Sequence, residues 1–482
     1  MEPIIPRRWA FAKLGEICRD TQYGWTTSAA KEGNLHLLRT TDITSGVIDW
    51  DTVPFCREEP PNIKKYLLRD GDIVISRAGS VGHSHLVKNP ERSIFASYLI
   101  RFEPLIHEKY LYYFLKSPDY WKAISEKSLG IAVPNVNASK LKQIQVPIPP
   151  LAEQHRIVAR IEELFSHLDA GVLALQRAKA QLQRYRQAVL KAAVEGRLTE
   201  GWRKAHPEVE PAEEILKRIS KFKPHSSEQS IDGNEEGLPN GWSWATMEQV
   251  ASRITSGSRG WAKYYSEFGA IFIRAQDIKT DKLLLDQAAF VEIPSNSEGT
   301  RTRVQLGDIL IVITGANVTK SAIVESDLGE AYVSQHVGLM RPATIDLAPY
   351  LYTYIIAPKY GRGVLKKQTY GAGKPGLNLD NIRELLVRLP PLSEQKAITD
   401  EVERCISIAE KVEASFHYHI KHSDRLRQSI LKRAFEGKLV PQDPGDEPAS
   451  LLLERIRAER TKETPRRGRK SNNSTSQMRL AQ

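Results

Sequence analysis

The sequence has no run of eighteen apolar residues, so no stretch of it reads as a membrane-spanning helix. Met1 to Lys13 holds Pro6, Arg7 and Arg8 but no apolar centre, and does not read as a signal peptide. Cysteine is scarce: Cys18, Cys56 and Cys405 lie far apart with no CxxC spacing. That excludes a disulfide framework and a self-contained zinc knuckle, and it suits a reducing cytoplasm. Catalytic signatures are missing too. Gly371-Ala372-Gly373-Lys374-Pro375 lacks the first glycine of a phosphate loop and has proline where a magnesium-binding hydroxyl is required. No G-x-G-x-x-G follows a strand-like run, so no dinucleotide or S-adenosylmethionine fold is announced. The Asn-Pro-Pro-aromatic tetrad expected of a base-flipping amino-methyltransferase is absent. Histidines cluster only at His83 and His85, and at His417, His419 and His422. The last three lie along a helix with no carboxylate or cysteine partner, and read as solvated or seam residues rather than metal ligands.

What is present is a soluble globular balance: 482 residues, 41% hydrophobic and 26% charged, enough chain for two to four domains. The formal net charge of +11 points to a polyanionic partner, nucleic acid before a membrane surface. The excess is uneven. Residues 454–482 carry nine basic and three acidic side chains, more than half of the surplus, whereas residues 1–150 and 238–391 are only mildly basic. The tail therefore reads as a solvated run, with non-specific attraction to DNA as the lesser possibility.

The chain is one unit written twice. Pro149-Pro150-Leu151-Ala152-Glu153-Gln154 recurs as Pro390-Pro391-Leu392-Ser393-Glu394-Gln395, and the same offset carries Glu195-Gly196-Arg197-Leu198 onto Glu436-Gly437-Lys438-Leu439. Upstream, Pro6-x-x-Trp9 answers Pro239-x-x-Trp242, and Arg39-x-x-Asp42-Ile43 answers Arg274-x-x-Asp277-Ile278. Gly71-Asp72-Ile73 answers Gly307-Asp308-Ile309, and Tyr110-Leu111-Tyr112 answers Tyr350-Leu351-Tyr352. The offset drifts slightly along this stretch, as insertions in loops would make it.

Each unit reads as a mixed α/β block, residues 1–150 and 238–391, followed by a long helix, residues 151–200 and 392–440. Ile73-Val74-Ile75 and Ile309 to Ile313 have the character of buried strands, and Tyr110–Ser117 and Tyr350–Ala357 of short helices. In the first long helix, steps of four and three give Ile157, Ile161, Leu164, Leu168, Gly171, Leu175, Ala178, Leu182, Tyr185 and Val189. In the second they give Ile398, Val402, Cys405, Ala409, Val412, Phe416, His419, Ser423, Leu426 and Ile430. Two such stripes in one chain most economically bury each other, as an antiparallel coiled coil, with Cys405 a packed thiol. Residues 201–237 are expected to hold a short helix followed by a mobile linker, and residues 441–459 a second short helix. Residues 460–482 read as a disordered basic tail.

A repeated reader with no announced active site suits a two-fold target, and duplex DNA is one. The 157–189 stripe spans about 50 Å of helix, so the pair would space two short sites by roughly one to one and a half DNA turns. Candidate contacts in the first block are Tyr23, Trp25, Arg39, Thr41, Arg77, Ser80, His83, Asn135 and Asn137. In the second they are Arg259, Lys263, Arg274, Gln276, Asn317, Lys320, Gln335, Lys374 and Asn378. Arginine reads guanine, Asn and Gln read adenine, and lysine grips phosphate. Arg39 and Arg274 each precede an aspartate by three, so a structural ion pair competes with that role. Positions that differ between blocks, such as Arg77 against Thr314, are better suited to reading two different half-sites.

The PPLAEQ and PPLSEQ helix starts, with the endings YRQAVLKAAVEGRLT and LRQSILKRAFEGKLV, resemble the specificity (S) subunit of type I restriction-modification systems over residues 1–456. That resemblance implies two target recognition domains, each reading half of a split DNA sequence, and paired helices that set the gap and dock two modification (methyltransferase) subunits. It also implies that S-adenosylmethionine, ATP and Mg2+ serve the modification and restriction subunits, that this chain binds no cofactor or metal and catalyses nothing, and that the complex works in the cytoplasm away from membranes. It assigns no role to the basic tail. Two alternatives are a freestanding bivalent DNA-binding adaptor, and a nuclease using Asp277 with Lys279. Against the latter, the first block has Thr44 in place of that lysine.

Overall fold

In the computed structural model the described residues are 5–44, 46–128, 136–221, 237–279, 281–293, 301–371 and 373–463. The chain forms two compact units that do not follow the order of the sequence. One contains Met1–Ala174 together with Tyr418–Gln482; the other is Leu175–His417. Each long helix, Leu151–Val194 and Leu392–Phe435, is thus divided between the units.

In the first unit, strand Ala10–Lys13 pairs antiparallel with Gln145–Ile148, fastening the start of the first α/β block to its end. An antiparallel sheet orders Gln22–Tyr23, Leu99–Phe102, Ile73–Ser76 and Ser84–Leu86. A second sheet orders Ala29–Ala30, Phe55–Cys56, His36–Leu38 and Ser93–Phe95, its last pair parallel. Ile73–Ser76 is buried at every position, the pattern of a central strand covered on both faces. Helix Glu108–Phe114 closes the core through Tyr110, which is fully buried and donates its hydroxyl to Pro147 O at 2.7 Å.

The second unit repeats this plan. Ser243–Thr246 pairs with Leu386–Leu389; one sheet orders Ala251–Ser256, Val337–Pro342, Ile309–Val312 and Ser321–Ile323; another orders Tyr265–Ser266, Ala289–Val291, Ala270–Ile273 and Ala331–Val333. Tyr350, on helix Ala348–Ile356, donates to Arg388 O as Tyr110 does to Pro147. The units differ at the turn that holds Asp281. Asp281, at φ +62°, accepts from Arg362 through its carboxylate and from Tyr352 through its carbonyl. Gly46, at φ +85°, stands at the matching place in the first unit and carries no side chain to do so.

Both units join an α/β block to helix ends from opposite repeats. In the first, Ile157, Val158 and Ile161 share a core with Leu431, Ala434 and Phe435. In the second, Val189, Leu190, Ala193 and Val194 share one with Ile398, Val402 and Cys405. Within each unit the early part of one helix meets the late part of the other, so the helices pack antiparallel, as the paired stripes suggested. The glycine of each repeated helix ending sits in a left-handed turn against a Pro-x-x-Trp motif, Gly196 on Pro239 and Trp242, and Gly437 on Pro6 and Trp9. A Cβ there would fall 2.8 Å from Pro239 Cγ at Gly196, and 2.4 Å from Pro6 Cγ at Gly437. The repeated Glu-Gly dipeptide is thus explained by close approach as well as by φ.

Three expectations need correction. The facing stripe drifts: Val412, His419 and Leu426 are exposed, while Glu413, Ile420 and Arg427 lie further inward and Ser423 is buried. Inward positions advance at the 3.6-residue period of a straight helix instead of the strict heptad, which turns charged side chains into the interface. In the second unit Glu413 meets Arg186 at 2.8 Å and Lys179 at 3.7 Å; in the first, Arg427 pairs with Asp169 and lies over the Phe165 ring. Secondly, the final helix runs Ala449–Glu463, past the expected limit of 459, and Arg460 donates to Glu16 O at 2.9 Å; that anchor makes residues 460–463 part of the fold. The remaining tail, 464–482, and the linker from 222 to 236 lie outside the described residues. The expected short helix after the first long one is Ala212–Lys221, preceded by a further helix, Glu200–Ala205. The third correction, to the partner of Arg77, follows from the site.

Candidate nucleic-acid interface

The ends of Ile73–Ser76 and its equivalent Ile309–Val312 lead into turns that carry Arg77, Ser80 and His83 in the first unit and Asn317 and Lys320 in the second. In the first unit, Arg77 N donates to Tyr98 O at 2.9 Å and Val136 N donates to Arg77 O at 3.1 Å. In the second, Ile313 N donates to His336 O at 2.9 Å and Leu377 N donates to Ile313 O at 2.9 Å. The counterpart of Arg77 is therefore Ile313, not Thr314, in the same unbroken register that carries Gly71-Asp72-Ile73 onto Gly307-Asp308-Ile309.

Around Arg77 the first unit gathers several candidates. The guanidinium lies over the Tyr23 ring, 5.2 Å from its centroid, and Tyr23 Oη accepts from Ala138 N at 2.9 Å. Asn137 precedes that residue and caps helix Ala138–Lys142, its Oδ1 accepting from Lys140 N at 2.9 Å. Ser80 is exposed in a turn framed by Gly79 and Gly82, both at positive φ, and His83 closes it with its ring edge-on to Trp121. Burial, and then Lys116, lowers the His83 pKa, favouring a neutral ring. Asn135 lies outside the described residues. Trp25 stands on the other side of Gly24, with its indole donating to Glu58 O at 2.9 Å and its ring against Tyr66. A Cβ on Gly24 would fall 2.2 Å from Ala96 O, so only glycine lets the chain pass between Tyr23 and Trp25 here.

Arg39 and Thr41 belong to a separate corner. Arg39 Nε and Nη2 donate to Asp42 at 3.0 and 2.7 Å, its backbone N donates to the same carboxylate, and Thr41 Oγ1 approaches it at 3.3 Å. Arg274 repeats the bidentate pair with Asp277 at 3.0 and 2.9 Å and adds a bond to Gln287 O. Each aspartate raises its arginine's pKa. This is the structural pairing that competed with base reading in the sequence. Asp277 itself is buried, and Gln276 beside it is exposed.

In the second unit, Gly315 N donates to Pro375 O at 2.8 Å, drawing the loop that holds Lys374 onto the turn holding Asn317 and Lys320. Lys320 Nζ donates to Asn317 Oδ1 at 2.9 Å, Gln335 is exposed next to His336, and Lys374 is exposed. Burial, and then Lys374, lowers the His336 pKa. Asn378 caps helix Leu379–Arg383 as Asn137 caps its own, which gives this repeated asparagine a structural task. Arg259 and Lys263 lie apart, in the segment after Gly257, Lys263 over the Tyr264 ring at 4.9 Å. Two exposed aromatics stand beside the sequence candidates: Tyr98, 57% exposed next to Arg77, and Tyr370, 57% exposed on the Lys374 loop. Nothing in sequence separates them from the many buried tyrosines, because only the fold turns them outward. Among the described residues no group of His, Cys, Asp or Glu side chains could hold a metal, and no helix is long and apolar enough to cross a membrane.

Comparison with known proteins agrees with this architecture. The family model for the type I restriction modification DNA specificity domain matches residues 6–174 and 263–414. The type I restriction enzyme EcoKI specificity subunit of Escherichia coli strain K12 is 28% identical over 488 residues, covering 95% of this chain and 96% of that protein. Two solved structures share the fold. A chain from a type I R-M system assembly matches with TM-score 0.64 at 17% identity, over 90% of this chain and 99% of that one. The HsdS subunit of Thermoanaerobacter tengcongensis matches with TM-score 0.55 at 18% identity, over 91% and 99%. With both copies of its repeat matched, this chain belongs to the family of type I restriction-modification DNA specificity subunits.

Proposed function

We propose that this chain supplies bipartite DNA recognition to a type I restriction-modification complex. Each recognition domain binds one half of a split double-stranded target, and the paired helices set the gap and dock two modification subunits, to which restriction subunits add. The chain itself performs no chemistry; S-adenosylmethionine, ATP and Mg2+ are used by its partners, in the cytoplasm. The observation that carries this reading is the matched placement of exposed polar and aromatic side chains at the same sheet edge of both units, with different residues in each. Such a pair reads two different short sequences. Helices of 44 residues each, about 66 Å long, give the spacing element its reach.

Mapping methylated adenines in cells with and without the gene tests the proposal: a bipartite motif should disappear with it. Exchanging residues 1–150 for another recognition domain should change one half-site alone. One heptad inserted into both long helices should lengthen the gap or abolish assembly, and an unchanged gap would contradict the spacing role.

A further inference from the structure

Arg77 differs from the other strongly placed arginines of the first unit. Arg39 is held by Asp42, Arg156 by Asp446, and Arg101 by Leu67 O with Asp72 nearby. Among the described residues no carboxylate pairs with the Arg77 guanidinium, and its Nε, shut off from water, has no hydrogen-bond partner. Its backbone is bonded on both sides, and the Tyr23 face holds the cation in place. The surroundings are exposed aromatic and amide groups: Tyr23 at 37%, Tyr98 at 57%, and Asn137. A fixed, planar set of donors with no acceptor among the described residues, flanked by aromatics, is poised for an external planar acceptor pair. The second unit dismantles this arrangement position by position: Tyr23 becomes Ser256, Arg77 becomes Ile313, and Tyr98 becomes His336. Ile313 is buried and offers no donor there.

We infer that Arg77, on its Tyr23 platform, reads a guanine in the half-site bound by the first recognition domain, and that the second domain makes no equivalent reading at this place. The guanidinium fork matches O6 and N7 on the major-groove edge of guanine, a pair of acceptors that no other base presents. A phosphate would also accept from it, but a contact with phosphate carries no base preference. The inference rests on the proposed function above and goes further by assigning one base to one residue.

The test uses the full chain assembled with its modification subunits, with methylated motifs mapped for wild type, Arg77→Lys, Arg77→Gln and Tyr23→Leu. The wild-type motif should hold an invariant guanine in one half. Arg77→Gln should relax that position by about tenfold or more in preference and leave every other position fixed. Arg77→Lys keeps the charge but loses the fork, and should relax the same position if it assembles even where Arg77→Gln does not. Tyr23→Leu should relax it in part. An unchanged motif in Arg77→Lys or Arg77→Gln, or weakening that is uniform across sequences, would overturn the inference. Absence of any bipartite motif in the wild type would instead overturn the proposed function.

Discussion

The indole N–H of Trp242 donates to Glu394 Oε2 at 2.9 Å, and the same carboxylate receives Thr199 Oγ1 at 2.8 Å and Arg203 Nε at 3.0 Å. Glu394 is the glutamate of the second double-proline motif, and Trp242 belongs to the Pro-x-x-Trp that opens the second block. In the first unit Trp9 donates to Glu153 at 3.0 Å, but the second partner is the neutral Gln442, at 2.6 Å. The two motifs that revealed the repeat are therefore partners in a buried joint between recognition domain and helix.

Glu394→Ala should destabilise the second unit by about 3–5 kcal/mol, because Arg203 would be left half-buried without its counter-ion. Glu153→Ala should cost less, about 1–3 kcal/mol, since it strands only neutral donors. Denaturant unfolding of the two variants, read by tryptophan fluorescence, gives the comparison; equal losses would argue against the charge as the source of the difference.

Phe435 lies between Tyr110 and Phe114, with ring centroids 5.3 and 5.4 Å away, and is almost fully buried. Phe435→Ala should lower stability by about 3–5 kcal/mol. Calorimetry should show the loss in the first unit's transition, with the second unit's transition unmoved.

Gly24→Ala should be severely disruptive, because the new methyl would meet Ala96 O at 2.2 Å and Phe95 O at 2.3 Å, both backbone atoms. Gly257→Ala repeats the problem against Val333 O at 2.0 Å. Each variant should lose recognition of one half-site alone, seen as loss of binding to duplexes altered only in the other half. Tolerance of either substitution would show that the strands separate more easily than their packing indicates.

His85 is buried, its Nδ1 has no hydrogen-bond partner, and burial, helped by Lys116, lowers its pKa to about 4. A histidine depressed in the folded state favours folding fully above its unfolded pKa, about 6.5, and that contribution is lost as pH falls from there toward 4. The loss approaches about 3 kcal/mol at the acid limit. His85→Gln should flatten the melting temperature between pH 6.5 and 4 relative to wild type; an unaltered acid slope would place the sensitivity elsewhere.

Much of the architecture was legible in the sequence, for physical reasons. Close-packed joints restrict residue type, so Pro-x-x-Trp, the double prolines and Glu-Gly recur and can be seen. The helix interface was legible only in outline, since heptad counting takes no account of a straight helix's own period and so places Val412 inward in place of Glu413. In the candidate site, pairing of Arg39 and Arg274 was suggested by their three-residue spacing to aspartate. The counterpart of Arg77 was legible after all, since the register that carries Gly71 onto Gly307 carries Arg77 onto Ile313; the bonds that fix their backbones to distant segments were not. Exposure of Tyr98 and Tyr370 is a property of the fold alone.

The first unit is assembled from both ends of the chain, and Ala449 N bonds to Arg8 O. On the ribosome this has an order. Residues 175–417 form one continuous stretch and can finish packing as soon as they emerge. The domain synthesised first must keep Trp9, Tyr110 and Phe114 uncovered until Leu431, Phe435 and the helix Ala449–Glu463 arrive. The unit that begins first in this chain is completed after the second, so a chain stopped before residue 431 would carry a finished second unit and an unfinished first one.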